Sequence, residues 1–274
     1  MVREYRSLYI TDELQKAYEA KAAGRYVVLS LPLMPCAEKM PAGGKHSQTT
    51  PAPEEPPYQM DDFPYVLEHL EEIPDAYLDK LILRFEGKPW RILETERCCL
   101  REITVEDVDT LYEIYAHPSV TAYMENLYED PDQERAYTKD YIKNHYGFYE
   151  FGMWIIEEKH TGKIIGRAGL DMIAKKENPQ LGFVVRRECQ RKGYAYEVCR
   201  AILSYAHEEL GFDTVEATCH ACNLASVNLL CKLGFSCANQ TLNTGNFNKK
   251  KDKICMFRHE QKRAPGTDKC YTIV

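Results

Sequence analysis

A strand-like run, a basic loop and a helix-like run follow one another within residues 181–210, and this order constrains the fold more than any other feature. The first run, LGFVV, is apolar throughout and has the length of a buried strand. The last, YEVCRAILSYAHEEL, repeats its apolar residues at helical spacing. The loop that precedes the helix, QRKGYA, holds a glycine and two cations. A buried strand leading into an amphipathic helix predicts a mixed α/β sheet with flanking helices.

The rest of residues 92–261 repeats this alternation of strands and helices. Thr104, with Asp107 three residues later, predicts a capping box that starts a helix over residues 105–116. A second helix, ERAYTKDYIKNHYGF, is expected to end at Gly147. The turn HTGK joins two strand-like runs in a hairpin. Later runs predict a strand at residues 214–221, a short helix at residues 225–233 and a last strand at residues 253–259.

Residues 1–90 predict a small accessory αβ segment. A helix-like run ends at Gly24 and precedes a short buried strand at Tyr26–Leu31. A second strand is expected at residues 65–67, followed by a helix at Asp75–Phe85. The proline before that helix suits a helix entrance.

Three stretches predict linkers or tails rather than packed structure. Residues 35–57 are rich in Pro, Gly, Ser and Thr and have no apolar period, which is typical of a flexible loop. Residues 51–79 contain nine acidic residues and no Lys or Arg. This stretch predicts a solvated acidic face, although it could also attract a cationic acceptor. Residues 262–274 are expected to form a C-terminal tail.

Composition narrows the classes of protein that this chain can belong to. The 274 residues carry a formal net charge of -7, which argues against a nucleic-acid binder because such proteins present basic surfaces. No apolar run is long enough to span a membrane, and the charged N-terminus lacks the apolar centre of a signal peptide. We therefore expect a cytoplasmic protein with no membrane partner, either a monomer or a homodimer.

The cysteines predict reduced thiols rather than a disulfide framework or a metal site. There are eleven, and no secretory signal accompanies them. Cys219 and Cys222 have the spacing of a metal-ligand pair, but no second pair at ligand spacing follows. Cys231 lies in LLCKL, which fits a packed helix better than a nucleophile, because no partnered base is evident. We expect no bound metal.

The loop QRKGYA allows two interpretations: an ordinary connection or a phosphate site. A strand that enters a helix through a short glycine-containing loop presents unpaired amides at the positive end of the helix dipole. Arg191 and Lys192 add positive charge, Gly193 permits close approach of a ligand to the backbone, and Ala195 keeps the first turn uncrowded. A nucleotide-triphosphate loop is excluded, because G-x-x-x-x-G-K-[ST] does not occur.

The surrounding sequence resembles one family. FVVRRECQRKGYAYE is similar to the acyl-CoA motif Q/R-x-x-G-x-G/A of the GNAT superfamily of N-acetyltransferases, with Gln190, Gly193 and Ala195 at its defining positions. LREITVEDVDTLYEIYAHPSVTAYM and WIIEEKHTGKIIGRAGL resemble the opening strand and helix and the central hairpin of its ribosomal-protein branch. NLASVNLLCKLGF resembles that branch's N-x-x-S-x-x-x-L-x-K-L-G-F pattern. The resemblance covers most of residues 96–259.

The resemblance implies a GNAT fold, with a mostly antiparallel mixed sheet whose central strand pair splays apart. It also implies acetyl-CoA as cosubstrate, held along the strand before the loop and by the loop itself. Phe183 and Val185 would pair through their main chains with the pantetheine arm. The other residues implied in cofactor binding are Gln190, Arg191, Lys192, Gly193, Tyr194, Ala195, Asn223 and Ser226. An alternative role for Asn223 is a helix N-cap.

The implied reaction is direct attack of a primary amine, either a protein N-terminus or a small molecule, on the acetyl thioester. Family members often carry a glutamate just before the motif strand, where this chain has Gln180, and a tyrosine where it has Leu230. Glu177, acting through water, and Ser226 are the remaining candidates for proton transfer. These departures leave open an alternative class, an acyl-CoA-binding sensor or scaffold with weak or no turnover.

The first ninety residues bear a second, looser resemblance. DELQKAYEAKAAGRYVVLS followed by FPYVLEHLEEIPDAYL is similar to the end of a haloacid-dehalogenase-type phosphatase. The nucleophile motif of that family, D-x-D-x-[TV], is absent from the sequence. The resemblance therefore implies a degenerate remnant with a structural role.

Overall fold

The computed structural model of the chain divides into two compact units, Met1–Trp90 and Arg91–Val274. Each unit contains its own sheet. The structure describes four ranges of the chain, residues 2–31, 62–173, 176–242 and 253–261.

The first unit contains a four-stranded sheet in the order β1-β2-β3-β4. The first two strands form an antiparallel hairpin, whereas β2, β3 and β4 run parallel. Ala17, Val27, Leu29 and Phe63 form a buried cluster in this unit. Its strands and helices are β1 (Val2–Tyr5), β2 (Leu8–Thr11), α1 (Leu14–Ala22), β3 (Tyr26–Leu31), β4 (Val66–Glu68) and α2 (Asp75–Phe85).

The helix before Gly24, the strand Tyr26–Leu31 and the helix Asp75–Phe85 are confirmed. The strand expected at residues 65–67 is present one residue later, as β4. The first hairpin was not predicted, because its two strands have only four residues each, too few for a period-two pattern. The tip of this hairpin places Arg6 in the left-handed region, at φ 51°.

The second unit contains an eight-stranded sheet in the order β11-β12-β10-β9-β8-β7-β6-β5. All neighbouring strands are antiparallel except β9 and β10, which are parallel. Its strands are β5 (Arg91–Glu94), β6 (Cys98–Arg101), β7 (Met153–Glu158), β8 (Ile164–Asp171), β9 (Gln180–Val185), β10 (Thr214–His220), β11 (Ser236–Leu242) and β12 (Lys253–Glu260). Its helices are α3 (Val108–Tyr115), α4 (Pro118–Thr121), α5 (Pro131–Asp140), α6 (Gly147–Tyr149), α7 (Tyr194–Glu208) and α8 (Leu224–Lys232).

The parallel pair β9 and β10 separates almost as soon as it forms. Only Gln180 and Glu216 are paired in register, and the Glu216 amide donates to the Pro179 carbonyl at 2.9 Å. Beyond this point β9 continues for five residues beside β8 alone. The mixed, mostly antiparallel sheet with a splayed central pair is therefore confirmed.

Apolar side chains from the sheet and helices form the core of the second unit. On α7, Val198, Cys199 and Ile202 are fully buried, which confirms the predicted helical face. Trp154 of β7 is also fully buried, and its ring lies 5.8 Å from that of Tyr205. This packing holds α7 against the sheet.

Two helix predictions need correction. The helix expected over residues 105–116 begins as a 3-10 turn, Val105–Asp107, before α3; the capping box is confirmed, because the Thr104 amide donates to Asp107 Oδ2 at 2.7 Å. Gly147 does not end the second helix. The helical segment continues from α5 through a π-helix at Tyr141–Tyr146 into α6. It ends at Glu150, which adopts a left-handed conformation with φ 59°.

The expected linker at residues 35–57 and the tail at residues 262–274 lie outside the described residues. Within the described ranges, no helix combines the length and the hydropathy that crossing a membrane requires. In the same ranges, no three His, Cys, Asp or Glu side chains are grouped so that they could hold a metal ion.

Candidate active site

The separation of β10 leaves one edge of β9 open. The Arg186 amide donates to the Ile165 carbonyl of the neighbouring strand at 2.7 Å. Since alternate residues of an antiparallel strand direct their main-chain groups to opposite edges, Phe183 and Val185 direct theirs to the open edge. An extended ligand with amide groups can pair with such an edge as an added strand does.

The open edge leads into the start of α7. A single 3-10 turn, Arg187–Cys189, follows β9, and Arg191 and Gly193 then adopt left-handed conformations with φ 62° and 87°. The Glu197 amide donates to the Gly193 carbonyl at 3.0 Å. The amides immediately before it belong to the helix N-terminus, where no preceding helical carbonyl is available. They can bind an anion at the positive end of the helix dipole.

Gln190 closes the loop back onto β9. Its side-chain amide donates to the Val185 carbonyl at 3.0 Å and accepts a hydrogen bond from Arg187 at 3.4 Å. The side chain therefore shapes the loop and occupies one carbonyl of the open edge. Arg191 and Lys192, by contrast, are exposed, so their charges can meet an incoming anion.

Arg97, which lies just before β6, holds the loop from the other side. Its Nε donates to Glu197 Oε2 at 2.7 Å, and its main-chain amide donates to Glu197 Oε1 at 2.8 Å. Nη1 donates to the Lys192 carbonyl at 3.0 Å, and the guanidinium lies 4.3 Å from the centre of the Tyr194 ring. A Cβ atom on Gly193 would lie 3.3 Å from Nη2, so any larger residue would crowd this contact.

Tyr194 connects the loop to the hairpin of β7 and β8. Its hydroxyl donates to Glu158, and the Thr161 hydroxyl donates to the same side chain at 2.7 Å. These two hydrogen bonds, from Tyr194 first, lower the pKa of Glu158. The Lys159 amide also donates to the Arg97 carbonyl at 2.9 Å. The loop is thus held by Arg97, which lies before β6, and by the hairpin of β7 and β8, through Glu158.

Glu197 is the acceptor at the centre of this arrangement. Burial alone would raise the pKa of its carboxyl group, but hydrogen bonds from Thr95 and Arg97 outweigh it and lower the pKa. The side chain is therefore ionised at neutral pH and pairs with the guanidinium. No carboxylate in the described part of the chain forms an ion pair with Arg191 or Lys192, so both exposed cations can meet a ligand.

The N-terminus of α8 follows the C-terminal end of β10. Asn223 is its N-cap, and Oδ1 accepts a hydrogen bond from the Ser226 amide at 3.2 Å. The N-cap role expected as an alternative is thus present, and the side-chain NH₂ group of Asn223 is not used by it. Asn223 and Ser226 are both half-buried.

The N-terminal ends of β9 and β10 hold a second set of polar groups. Gln180 is 9% exposed, and its Nε2 makes no hydrogen bond to any described residue. An amide cannot serve as a base; its Oε1 accepts a long hydrogen bond from the Thr218 hydroxyl at 3.5 Å, and its NH₂ group can donate. Glu216 is ion-paired with Lys176 and Arg258, both at 3.2 Å. Although burial raises its pKa, these two cations outweigh it, and the pKa of Glu216 is lowered.

The two candidates for proton transfer lie at opposite ends of the splayed pair. Glu177 is exposed in the connection before β9, near the N-terminal ends of the two strands. Ser226 lies in the first turn of α8, beyond the C-terminal end of β10. The structure therefore does not bring them together, and they can only act on different sides of a ligand in the splay.

Neighbouring residues of α8 differ sharply in burial. Leu230 is 1% exposed within the core, so no proton donor occupies this position. Cys231 is exposed, and the expectation that it packs is wrong, because it lies on the outer face of a helix whose inner face holds Leu230. Neither Cys219 nor Cys222 forms a disulfide, and the same holds for the other cysteines that the structure describes.

Sequence reasoning did not identify Arg97 or Glu197 as part of the site. The only available signal was charge: an arginine before a strand and a glutamate in the first turn of the helix that follows the loop. Their 2.7 Å contact joins residues a hundred positions apart, and a local sequence pattern cannot predict a contact between residues so far apart in the chain.

Comparison with known proteins agrees with this geometry. The model of the acetyltransferase (GNAT) domain family matches residues 97–236. The chain is 32% identical over 147 residues to the uncharacterized N-acetyltransferase YoaA of Bacillus subtilis (strain 168), covering 53% of this chain and 82% of that protein. It is 30% identical over 145 residues to the uncharacterized N-acetyltransferase p20 of Bacillus licheniformis, covering 52% of this chain and 81% of that one.

Solved structures share the fold. A GNAT-family acetyltransferase from Bacillus anthracis aligns with a TM-score of 0.53 at 18% identity, over 61% of this chain and 97% of its own. A ribosomal-protein-S5-alanine acetyltransferase from Vibrio fischeri aligns with a TM-score of 0.54 at 15% identity, over 61% and 95%. With the splayed strands, the loop and the family match together, the chain belongs to the GNAT family of acetyltransferases.

Proposed function

We propose that this acetyltransferase uses acetyl-CoA and transfers the acetyl group to a primary amine by direct attack. One observation carries the proposal: the open edge of β9 runs directly into the unpaired amides at the start of α7. Acetyl-CoA has the same order of groups, a linear arm with amides followed by a diphosphate. The edge offers partners to the arm, and the loop offers donors to the diphosphate.

The proposed contacts divide between main chain and side chain. The main chains of Phe183 and Val185 pair with the pantetheine arm, although the Val185 carbonyl is held by Gln190, which leaves its amide for the ligand. Asn223 and Ser226 lie beside the sulfur end of the arm. The amides that bind the pyrophosphate are those of Arg191, Lys192, Gly193, Tyr194 and Ala195.

In the proposed reaction the chain contributes position and proton transfer. The open edge holds the thioester so that an amide of β9 polarises its carbonyl. As the N–C bond forms, the C–S bond breaks and the thiolate leaves with the electron pair. Glu177, acting through water, accepts the amine proton on one side; on the other, the Ser226 hydroxyl donates its proton to the departing thiolate and regains one from solvent. We propose no metal for this reaction.

We further propose that the chain belongs to the branch that acetylates ribosomal proteins, with a protein N-terminus or a small primary amine as acceptor. The support is the pattern from Asn223 to Phe235, in which Ser226, Lys232 and Gly234 also match. The fold likeness to a ribosomal-protein acetyltransferase is compatible with this branch but does not select it.

The first unit is proposed to be an accessory segment without chemistry of its own. Its parallel strands β2, β3 and β4, with α1 between β2 and β3, are compatible with a degenerate remnant of a phosphatase-like αβ domain. The nucleophile motif of such phosphatases is absent from the sequence.

A second candidate function is acyl-CoA binding with weak or no turnover. It is favoured by the buried, non-titrating Gln180 and by Leu230 in the core, since these positions supply neither a base nor an acid. This candidate uses the same loop and open edge and differs only in the absence of efficient transfer.

Gly193→Asp tests cosubstrate binding. We expect acetyl-CoA to raise the melting temperature of the wild type and to leave that of the variant unchanged. The new side chain crowds Arg97 Nη2, strains a left-handed position and adds negative charge where the diphosphate binds. Gly87→Asp is the matched control, because Gly87 is also left-handed, at φ 67°, and belongs to the first unit. An equal shift in both variants would place the cosubstrate elsewhere.

Turnover separates the two candidate functions. Release of free CoA thiol, measured across a panel of peptides with free N-termini and small primary amines, is expected for the wild type. Acetyl-CoA binding without thiol release on any amine would favour the binding protein.

A further inference from the structure

One carboxylate of the second unit lies at the closed end of the splay, where β9 and β10 still pair. Asp171 ends β8 and is directly opposite Gln180, the residue at which β9 and β10 still pair. Opposed residues of antiparallel strands project from the same face, so Asp171 and Gln180 share one face of the sheet. The Asp171 side chain is 48% exposed. No described Lys or Arg forms an ion pair with it.

The nearest titratable partner of Asp171 is His145, and this partner is neutral. His145 Nε2 lies 3.5 Å from Asp171 Oδ1, beyond a good hydrogen bond. The imidazole is stacked on Tyr141 at 4.4 Å and lies 4.8 Å from Tyr149. Burial lowers the pKa of His145, and Asp171 only partly opposes this effect. At neutral pH the imidazole therefore contacts the carboxylate but carries no positive charge that would neutralise it.

The π-helix creates this arrangement. Within it, the rings of Tyr141 and His145, which are four residues apart in sequence, stack nearly parallel. The Tyr141 hydroxyl accepts a hydrogen bond from the Met153 amide of β7 at 2.9 Å. A π-helical turn inserts an extra residue into the helix, and such turns often occur at functional sites. The ring stack is thus tied to the sheet rather than free to move.

A row of aromatic rings extends from this stack to the surface. Tyr137 lies 6.2 Å from Tyr141, and Tyr128 lies 5.8 Å from Tyr137. Tyr137 and Tyr128 are 48% and 43% exposed, which is high for large aromatic side chains. The inner end of the row is close to the carboxylate, because His145, which is stacked on Tyr141, lies 3.5 Å from Asp171.

We propose that Asp171 binds the ammonium group of the acceptor and that the aromatic row Tyr128, Tyr137 and Tyr141 binds its apolar stem. The inference rests on the proposed transferase function and adds the class of acceptor, a primary ammonium with an aromatic or long aliphatic stem. The bound ammonium releases one proton to solvent before its nitrogen attacks the thioester. An ion pair with a half-buried carboxylate and contacts with ring faces both favour a cation over a neutral or anionic amine. His145 is a positioning residue that acts through Asp171.

Asp171→Asn is the decisive variant, because it keeps the shape of the side chain and removes the charge. Phenethylamine is the probe, and its binding to the CoA-loaded full-length protein is measured by calorimetry alongside its KM in the thiol-release assay. We expect the Kd and KM for phenethylamine to rise at least about tenfold, the loss of one charged contact, with the KM and melting shift for acetyl-CoA unchanged. Asp132→Asn, at a side chain that is 90% exposed on α5, is the matched control and should change nothing.

The outcomes distinguish this inference from the transferase proposal. If the wild type binds phenethylamine but releases no thiol, calorimetry still tests Asp171 while the transferase proposal fails. If Asp171→Asn binds the amine as the wild type does, or if the wild type binds acetyl-CoA but not phenethylamine, the anchor is wrong.

The aromatic row has a separate test. Tyr137→Ala should weaken phenethylamine binding severalfold and leave methylamine, which has no stem, unaffected. Tyr137→Phe keeps the ring and should bind both amines as the wild type does. Equal weakening of both amines by Tyr137→Ala would contradict a role in binding the stem.

Discussion

At the scale of single residues, Arg97 has the densest set of contacts in the candidate site. It bonds to one carboxylate twice, to one carbonyl and to one aromatic face. The bonds to Glu197 and Lys192 connect the segment before β6 to both the loop and the helix that the loop begins. The left-handed conformations of Arg191 and Gly193 are costly for a free loop, and these contacts hold them in place.

We expect Arg97→Ala to weaken acetyl-CoA binding about tenfold, because the loop amides would no longer be held in one orientation. The effect on the free energy of unfolding should be at most about 1 kcal/mol, since the side chain is 39% exposed and solvent screens the pair. Calorimetric titration with acetyl-CoA and thermal unfolding measure the two effects. Arg91→Ala, at a 71% exposed side chain with a looser pair, is the control. Unchanged affinity in Arg97→Ala would show that the loop keeps its shape without the guanidinium.

At the scale of elements, the C-terminal part of α7 is joined to β12 by two imidazoles. His207 Nε2 lies 3.1 Å from His259 Nδ1, and the other nitrogen of His207 bonds to the Phe212 carbonyl. One ring must donate and the other accept, so at least one of the two imidazoles is neutral in this contact. Burial, followed by the charge of His207, lowers the pKa of His259.

This lowered pKa predicts acid sensitivity. In the unfolded chain His259 takes up a proton near pH 6.5, whereas in the folded chain it does so only at lower pH. The unfolded state therefore binds more protons in this window, and the free energy of unfolding falls as the pH drops below about 6.5. Urea unfolding between pH 7.5 and 5 should show this slope, and His259→Gln should reduce it. The same slope in both proteins would assign the effect to other groups.

The sequence predicted the elements that carry their own local signals. The capping box of Thr104 and Asp107 and the apolar face of α7 are local patterns, and both are present. β11, SCANQTL, has almost no apolar alternation, because it lies at the sheet edge and pairs only with β12. The π-helix depends on where Tyr141 and His145 meet the sheet, and helical periodicity cannot express that.

The candidate site divides in the same way. The loop Gln190 to Ala195 was recognisable because phosphate binding by a helix N-terminus is a property of contiguous chain. The exposed Cys231 was misread, since a short helix between two strands gives little indication of which face is turned inward. Asp171 gave no signal at all, because its neighbours come from β9 and from the π-helix.

At the scale of the whole molecule, the chain divides after Trp90, and each unit has its own buried cluster. The core of the second unit runs from Cys98 to Phe257 and includes no residue of the first. All residues proposed to bind acetyl-CoA also lie within this unit. The described core of the second unit is therefore built from its own residues.

We expect a fragment of residues 91–261 to fold and to bind acetyl-CoA with an affinity within a few-fold of the full chain. Cooperative thermal unfolding and the acetyl-CoA-induced rise in melting temperature are the measurements. A fragment that folds but binds acetyl-CoA much more weakly would give the first unit a direct part in cosubstrate binding.

The open edge of β9 has a consequence beyond ligand binding. A strand with unpaired main-chain groups is a template for other strands, and proteins usually cover such edges. Here the edge lies inside a sheet, between β8 and the departing β10, so a foreign strand can reach it only if the wedge opens further. A bound cosubstrate would fill the wedge, so added acetyl-CoA should reduce aggregation on heating. Without a ligand, the same gap would be the place where aggregation begins.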